Sequence, residues 1–143
     1  MDESERLALG LARGVCRLFD AMGQASLTEF TVRSGRRADV LAMDGAGRFS
    51  IVEIKTSLAD FRSDAKWPEY LAFCDRYFFA VPEGFPHEVL PGDHGLIVAD
   101  PWEATIVRQA PELAMNGARR KAQTLRFAQL AARRLRLLLD PPA

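Results

Sequence analysis

The residues with the clearest chemical potential are one aspartate and a Glu-x-Lys tripeptide that begins fourteen residues later. Residues 48–55 are rich in Phe, Ile and Val and follow a Gly-rich turn, which predicts a strand. Asp39 lies in the predicted strand before it. Side chains alternate along a strand, so Glu53 and Lys55 are expected side by side on one face. An acid on one strand and Glu-x-Lys on the next is the pattern of a metal-dependent phosphodiesterase.

The lysine is informative because the chain contains only three lysines among its 19 basic residues. Lysine is a compact point charge and arginine is a planar fork, so the two are not interchangeable. A site that places one cation near a water and a phosphate oxygen could require Lys55. The alternative is an exposed ion pair on the strand face, worth about 0–1 kcal/mol. Asp39 could likewise pair with Arg37 or with another surface arginine.

Two carboxylates on adjacent strands also predict a bound cation. At a separation of about 4 Å and an effective dielectric constant of about 20, they repel by about 4 kcal/mol. Hard oxygen ligands of this kind suit Mg²⁺ or Mn²⁺. Such an ion activates water and neutralises charge on a phosphate. Lys55 would then orient the nucleophile or stabilise the developing charge.

The elements that must position these residues predict an α/β fold with a mixed sheet flanked by helices. The length of 143 residues indicates one domain, residues 1–143. The predicted helices cover 4–21, 58–74 (broken near Trp67-Pro68) and 117–139, and the predicted strands cover 26–33, 36–43, 48–55, 76–81, 95–99 and 104–108. In the first strand, Leu27, Glu29 and Thr31 are expected opposite Thr28, Phe30 and Val32.

Composition limits the setting of the protein. No apolar run approaches the length of a membrane span, and the acidic start does not resemble a secretory signal. The two cysteines, Cys16 and Cys74, have no partner at metal-ligand spacing, which favours buried thiols in a reducing compartment. These observations predict a cytoplasmic protein that does not bind membranes.

Charge is unevenly distributed although the net charge is zero. Residues 117–143 carry seven basic side chains and one acid. In the last predicted helix, Arg119, Arg126 and Arg133 recur every seven residues and share one face. A different face is apolar and consists of Ala128, Ala132, Leu135 and Leu139. We expect the helix to dock by this apolar face and to present the arginines to a nucleic acid backbone; an Arg-rich helix that is simply solvated is the alternative.

The chain resembles the PD-(D/E)xK nuclease superfamily in its Asp39, Glu53 and Lys55 and in its α-β-β-β-α-β order of elements. Ala38 replaces the proline of that signature. The stretch Gly35-Arg36-Arg37-Ala38-Asp39 is similar more specifically to the MmcB-type family of bacterial DNA-repair proteins. The likeness extends over 51–55, 60–61, 64, 66–70, 74–82, 95–100 and 118–121.

The resemblance implies a restriction-endonuclease-like core and roles for further residues. Asp39 and Glu53, with the Ile54 carbonyl, would hold Mg²⁺ or Mn²⁺, and Lys55 would position the attacking water. The superfamily often adds an acid from the first helix, for which Glu5 is the best match and Glu3 or Glu29 the substitutes. Acids at a helix N-terminus also favour the helix dipole, which is the simpler explanation for Glu5.

Three further residues are candidates for contact with phosphate or with groups around the metal, namely Arg37, Lys66 and Tyr70. The simpler explanations are a surface ion pair, a solvated lysine and a packed tyrosine.

The leading hypothesis is a Mg²⁺- or Mn²⁺-dependent endonuclease of DNA repair that acts on damaged or branched DNA. The alternatives are a non-catalytic module that binds DNA or recruits repair proteins, and an enzyme that acts on RNA. A homodimer is a further expectation, because small nucleases of this fold often need two active sites.

Overall fold

A mixed sheet with one long helix on each face forms the centre of the molecule, which the computed structural model describes over all residues 1–143. The helices are α1 (Glu3–Ala21), α2 (Leu58–Arg62) and α3 (Gly117–Leu139), with short 3₁₀ segments at Trp67–Phe73 and His87–Val89. The strands are β1 (Ala25–Thr31), β2 (Arg37–Met43), β3 (Phe49–Ile54), β4 (Arg76–Val81), β5 (Gly95–Ala99) and β6 (Ala104–Arg108).

The six strands lie in the sheet in chain order. β1, β2 and β3 form an antiparallel meander, β3, β4 and β5 run parallel, and β6 returns antiparallel. The predicted mixed α/β fold is therefore confirmed. β1 is an edge strand, whereas β3 is covered on both faces and is buried along its whole length.

Alternation along β3 divides the core into two layers, as the sequence predicts. Phe49 and Ile51 belong to the layer under α3, whereas Val52 and Ile54 belong to the layer under α1. On the α3 side, Phe127 packs against Phe49 with ring centroids 6.2 Å apart. Glu53 follows Ile51 in the same alternation, so a carboxylate takes the next core-facing position.

Gly14 allows α1 to lie close against the turn between β5 and β6. A Cβ at this position would stand 2.0 Å from the Asp100 carbonyl oxygen, which no side chain permits. A glycine inside a helix destabilises it by about 1 kcal/mol relative to alanine. Here the absence of a Cβ at Gly14 allows the close contact that fixes α1 over the sheet, at the cost of some helix stability.

The predicted helix over 58–74 is correct at its start, but the α-helix is much shorter than predicted. α2 begins after Ser57, whose hydroxyl accepts the Asp60 N–H at 3.1 Å, and ends at Arg62. The chain resumes helical geometry only at the 3₁₀ segment Trp67–Phe73. Pro68 has no N–H to continue an α-helix and disfavours helical geometry in the residue before it.

The predicted alternation along the first strand is also wrong after Thr28. Glu29 has a φ of 51°, in the left-handed region that non-glycine residues rarely adopt. Leu27 and Phe30 consequently contact the same hydrophobic layer, although strict alternation would place them on opposite faces. The pairing of β1 with β2 passes from Thr28–Val40 to Phe30–Ala38 and skips Glu29 and Asp39, so the irregularity adjoins a predicted site residue.

α3 does not dock by its predicted apolar face. Leu135 and Leu139 are 56% and 76% exposed, and Ala128 and Ala132 are also exposed. The buried residues of α3 are Gln123 and Phe127. The Phe127 ring packs against the rings of Phe30 and Phe49, so it buries more apolar area than Ala128 and Ala132 could.

Candidate active site at the separation of β2 and β3

The predicted site residues meet where β2 and β3 stop pairing. The last backbone pair of this ladder is Val40 with Val52. Beyond it, the Asp39 N–H donates to Glu53 Oε2 at 2.8 Å, and the Ile54 N–H donates to Asp39 Oδ2 at 2.7 Å. Two carboxylates thus take the places that backbone carbonyls occupy in a continuing ladder. The structure therefore brings Asp39 and Glu53 together, as the spacing of the sequence predicts.

Burial makes this pair of acids electrostatically unfavourable. Burial first, and then the charge of Asp39, raises the pKa of Glu53 to about 8. Burial also raises the pKa of Asp39, against the opposing effect of the Ile54 N–H and the Lys55 charge. The two carboxyl groups cannot both ionise easily, and a bound cation would stabilise the form in which both are ionised.

The Ile54 carbonyl faces the same opening. The Lys55 N–H donates to the Ala80 carbonyl of β4 at 2.9 Å, so the Lys55 amide points away from β2. The Ile54 N–H points towards Asp39, and the N–H and C=O of one strand residue point to the same side. A third hard oxygen therefore faces the two carboxylates.

Lys55 is held by an acid that the sequence argument did not assign. Its ammonium is buried and donates to Asp64 Oδ2 at 2.8 Å. Asp64 also accepts the Lys66 N–H at 3.0 Å and lies 3.9 Å from the Arg36 guanidinium. Partial burial opposes ionisation of Asp64, but the Lys55 ammonium outweighs it and holds the pKa of that carboxyl below its usual range. Asp64 belongs to the stretches that resemble the repair family, but the motif gives it no role.

A cleft of about 400 Å³ opens over the two carboxylates. The N-terminus of α1 forms one wall and is joined to the segment after β3 by a hydrogen bond of 3.1 Å between the Ser4 and Thr56 hydroxyls. The cleft contains one lysine and five acids, which are Asp2, Glu5, Asp39, Glu53 and Asp60. The cleft therefore has a strong excess of negative charge.

The predicted third acidic ligand is not in place. Glu5 lines the cleft, and Glu29 lines the neighbouring one, where it lies 4.0 Å from Arg37. No three His, Cys, Asp or Glu side chains converge closely enough to hold a metal ion together. The oxygen donors at the opening are two carboxylates and one carbonyl.

The structure separates the three predicted phosphate-contacting residues. Arg37 is exposed and lines a cleft together with Asp39. Lys66 is exposed, and its side chain makes no hydrogen bond or ion pair within the protein. Tyr70 is buried and its hydroxyl donates to the Arg37 carbonyl at 2.8 Å, so its place is in the core beneath β2 and not on a binding surface.

The three arginines of α3 do lie on one side of the helix. The Arg119 and Arg126 guanidiniums lie over the rings of Phe73 and Phe30, at 4.9 and 5.6 Å from the ring centroids. Arg126 also donates to the Thr31 carbonyl. Arg133 is exposed and makes no hydrogen bond or ion pair within the protein.

Residues 2–142 match the family model of the MmcB-like DNA repair proteins. The chain belongs to this family. The MmcB-like chain is also similar to a solved structure, the SPO1766 protein of unknown function from Silicibacter pomeroyi, at 50% identity and a TM-score of 0.89. That likeness covers 92% of this chain and 90% of the other. No curated protein matches the MmcB-like chain.

None of the helices of the MmcB-like chain combines the length and the hydropathy needed to cross a membrane.

Proposed function

We propose that this MmcB-like protein is a Mg²⁺- or Mn²⁺-dependent endonuclease of DNA repair, of the PD-(D/E)xK type. The observation that carries the proposal is the reciprocal arrangement of Asp39 and Glu53 at the end of the β2–β3 ladder. The buried Lys55 beside this pair and the acidic cleft above it support the proposal. Membership of the MmcB-like DNA repair family supports DNA as the substrate.

The donor set fits a small divalent cation. Mg²⁺ keeps several waters and is usually bound by one or two carboxylates together with substrate phosphates, so a third acid is not required. Asp39, Glu53 and the Ile54 carbonyl would hold the ion. A bound Mg²⁺ or Mn²⁺ would supply Lewis acidity towards a phosphoryl oxygen and towards the attacking water.

The remaining work of the reaction falls to the side chains of the cleft. Asp64 keeps the Lys55 ammonium at one position, from which it can donate to the attacking water or to a phosphate oxygen. Hydrolysis forms a bond from phosphorus to the water oxygen, which gives up a proton, and breaks the bond from phosphorus to the leaving sugar oxygen, which takes up a proton. The product is a nicked strand.

Metal-supported cleavage of a panel of damaged and branched DNAs tests the proposal. We expect cleavage by the wild type in Mn²⁺ or Mg²⁺, none in EDTA, and none by an Asp39→Asn variant that remains folded. Cleavage that persists in Asp39→Asn would place the chemistry elsewhere.

A non-catalytic DNA-binding module is a second candidate, because the arginines along one side of α3 could bind a DNA backbone without any metal. This candidate predicts DNA binding by the wild type, with no cleavage of any member of the panel. Recruitment of repair proteins would then be the role of the family fold.

Metal should stabilise the folded protein more strongly as the pH rises. Without metal, the raised pKa of Glu53 means that the folded state keeps a proton that the unfolded state has lost, from its ordinary pKa up to about pH 8. The free energy of unfolding therefore falls as the pH rises through this window. Mn²⁺ binds the deprotonated carboxylates, and at about 100 times its Kd it should restore about 2.7 kcal/mol.

Thermal unfolding with and without Mn²⁺, from acidic to mildly alkaline pH, measures this effect. We expect Glu53→Gln to remove the stabilisation by Mn²⁺ and to flatten the pH dependence, whereas the exposed Glu88→Gln should preserve both. An equal response to Mn²⁺ in wild type and Glu53→Gln would contradict the assignment of Glu53 as a ligand.

Asp64→Asn should impair turnover without impairing binding. The substitution keeps the shape of the side chain but removes the charge that fixes the Lys55 ammonium, and a small displacement of a catalytic group can lower a rate by about 100-fold. We expect a lower kcat, an unchanged KM for DNA, unchanged Mn²⁺ affinity and partial recovery in Asp64→Glu. Loss of the buried Lys55–Asp64 pair will lower stability in either case. The kinetics of the folded variant therefore decide, because a purely structural role would affect KM and kcat together.

A further inference from the structure

A groove lined by arginines lies between α3 and the segment that follows β1, apart from the acidic cleft. Its volume is about 500 Å³, and its charged lining residues are Arg33, Arg119 and Arg126, with no carboxylate among them. Phe73 and Gln123 form part of its floor. Three convergent cations without a counter-charge form a site for a polyanion.

The arginines of this groove are partly fixed in place before any ligand binds. The contacts of Arg119 with Phe73 and of Arg126 with Phe30 hold two guanidiniums against aromatic rings, which reduces the entropy lost on binding. Arg33, which follows β1, makes no ion pair or side-chain hydrogen bond within the protein. The same is true of Arg133, which lies on α3 beyond the groove. Two arginines thus shape the groove, whereas Arg33 in the groove and Arg133 in the neighbouring hollow are free to bind an anion.

Two intermediate hollows, each sharing lining residues with the next, lie between the groove and the acidic cleft. The first, of about 310 Å³, is shared by Arg126, Arg133 and Glu29. The second, of about 720 Å³, extends from Glu29 past Arg37 to Asp39. Because β1 is the edge strand and α1 and α3 lie on opposite faces of the sheet, this path runs round the sheet edge.

We propose that this arginine groove binds the backbone of a single-stranded nucleic acid segment that leads round β1 into the Asp39–Glu53 cleft. Duplex DNA has a persistence length of about 50 nm and resists sharp bending, whereas a single strand can follow an edge. The substrate is accordingly DNA with an unpaired tail or branch, and not an uninterrupted duplex. The direction of this strand towards the cleft rests on the proposed nuclease function, but the binding itself does not.

Fluorescence anisotropy in EDTA tests the groove without metal or cleavage. The probes are a blunt duplex and the same duplex with an unpaired tail, and the variant combines Arg33→Glu with Arg133→Glu. Arg17→Glu is the matched control, because Arg17 is an exposed arginine of α1 on the other face of the sheet. Both substituted residues of the double variant are exposed and make no ion pair or side-chain hydrogen bond, and circular dichroism would verify folding.

We expect the wild type to bind the tailed DNA more tightly than the blunt duplex. The double variant should lose about tenfold or more in affinity for the tailed DNA, and its salt slope should fall by about 1.4, since each phosphate contact on a single strand contributes about 0.7. Its affinity for the blunt duplex should stay nearly unchanged, and Arg17→Glu should behave as the wild type. Unchanged affinity for the tailed DNA, or an equal loss for both probes, would overturn the proposal. An absence of cleavage would refute the nuclease function and leave this binding result valid.

Discussion

Lys55→Met should lower the rate of metal-supported DNA cleavage by about 100- to 1000-fold, the effect of removing one preorganised donor from a charged transition state. The methionine fills nearly the volume of the buried lysine stem but offers no hydrogen bond to water or phosphate. Asp39 and Glu53 are unchanged, so Mn²⁺ affinity should persist. The loss should therefore appear in kcat and not in metal or DNA binding.

Lys121→Met is the matched control for this experiment. Lys121 is an exposed residue of α3 whose side chain makes no hydrogen bond or ion pair, and its loss removes the same charge from the chain. We expect its cleavage rate to equal that of the wild type. If both variants lost activity equally, or if Lys55→Met retained full activity, Lys55 would have no role in the chemistry.

Asp75→Ala should destabilise the fold by about 3–5 kcal/mol, because it leaves a charge without its buried partner. Asp75 is buried and accepts hydrogen bonds from Arg120 at 2.5 and 2.8 Å and from the Phe49 N–H at 2.7 Å. The pair joins α3 to the start of β3, the strand that carries Glu53. Denaturation by urea, followed by tryptophan fluorescence, gives the change in the free energy of unfolding.

Asp140→Ala breaks a second Asp–Arg pair on the same helix and serves as the comparison. Asp140 and Arg136 are 3.0 Å apart, but their side chains are 68% and 69% exposed. An exposed pair of this spacing contributes about 0.3–0.5 kcal/mol. A loss in Asp75→Ala as small as the loss in Asp140→Ala would show that the pair does not hold α3 to the sheet.

The sequence predicts the sheet and the acidic pair because both depend on local patterns. Alternation along residues 48–55 determines which side chains enter each core layer, and the fourteen-residue spacing between Asp39 and Glu53 matches two strands joined by a tight turn. The β2–β3 pairing then places both acids at the end of the ladder.

The remaining features depend on contacts that are distant in sequence and leave no periodic signal. The Lys55–Asp64 pair forms because α2 ends at Arg62 and Asp64 lies outside the helix. The sequence pattern of residues 58–74 predicts a longer helix and so does not indicate this pair. Similarly, the face of α3 that packs on the sheet is the one that carries Phe127, which contacts rings from β1 and β3. The composition of the helix alone does not predict this orientation.

The left-handed backbone at Glu29 has no sequence signature, because glycine or asparagine would be expected in that conformation. The Arg134 side chain donates to the Glu29 carbonyl at 3.1 Å, so α3 contributes to holding this conformation beside Asp39. Only the assembled fold shows this support.

Anomalous diffraction from crystals soaked in Mn²⁺ tests most directly whether the opening between β2 and β3 is a metal centre. The account predicts one strong peak within about 2.5 Å of oxygens from Asp39, Glu53 and the Ile54 carbonyl, and no such peak in Glu53→Gln. A peak at another site, or none at millimolar Mn²⁺ where the wild type remains folded, would contradict it.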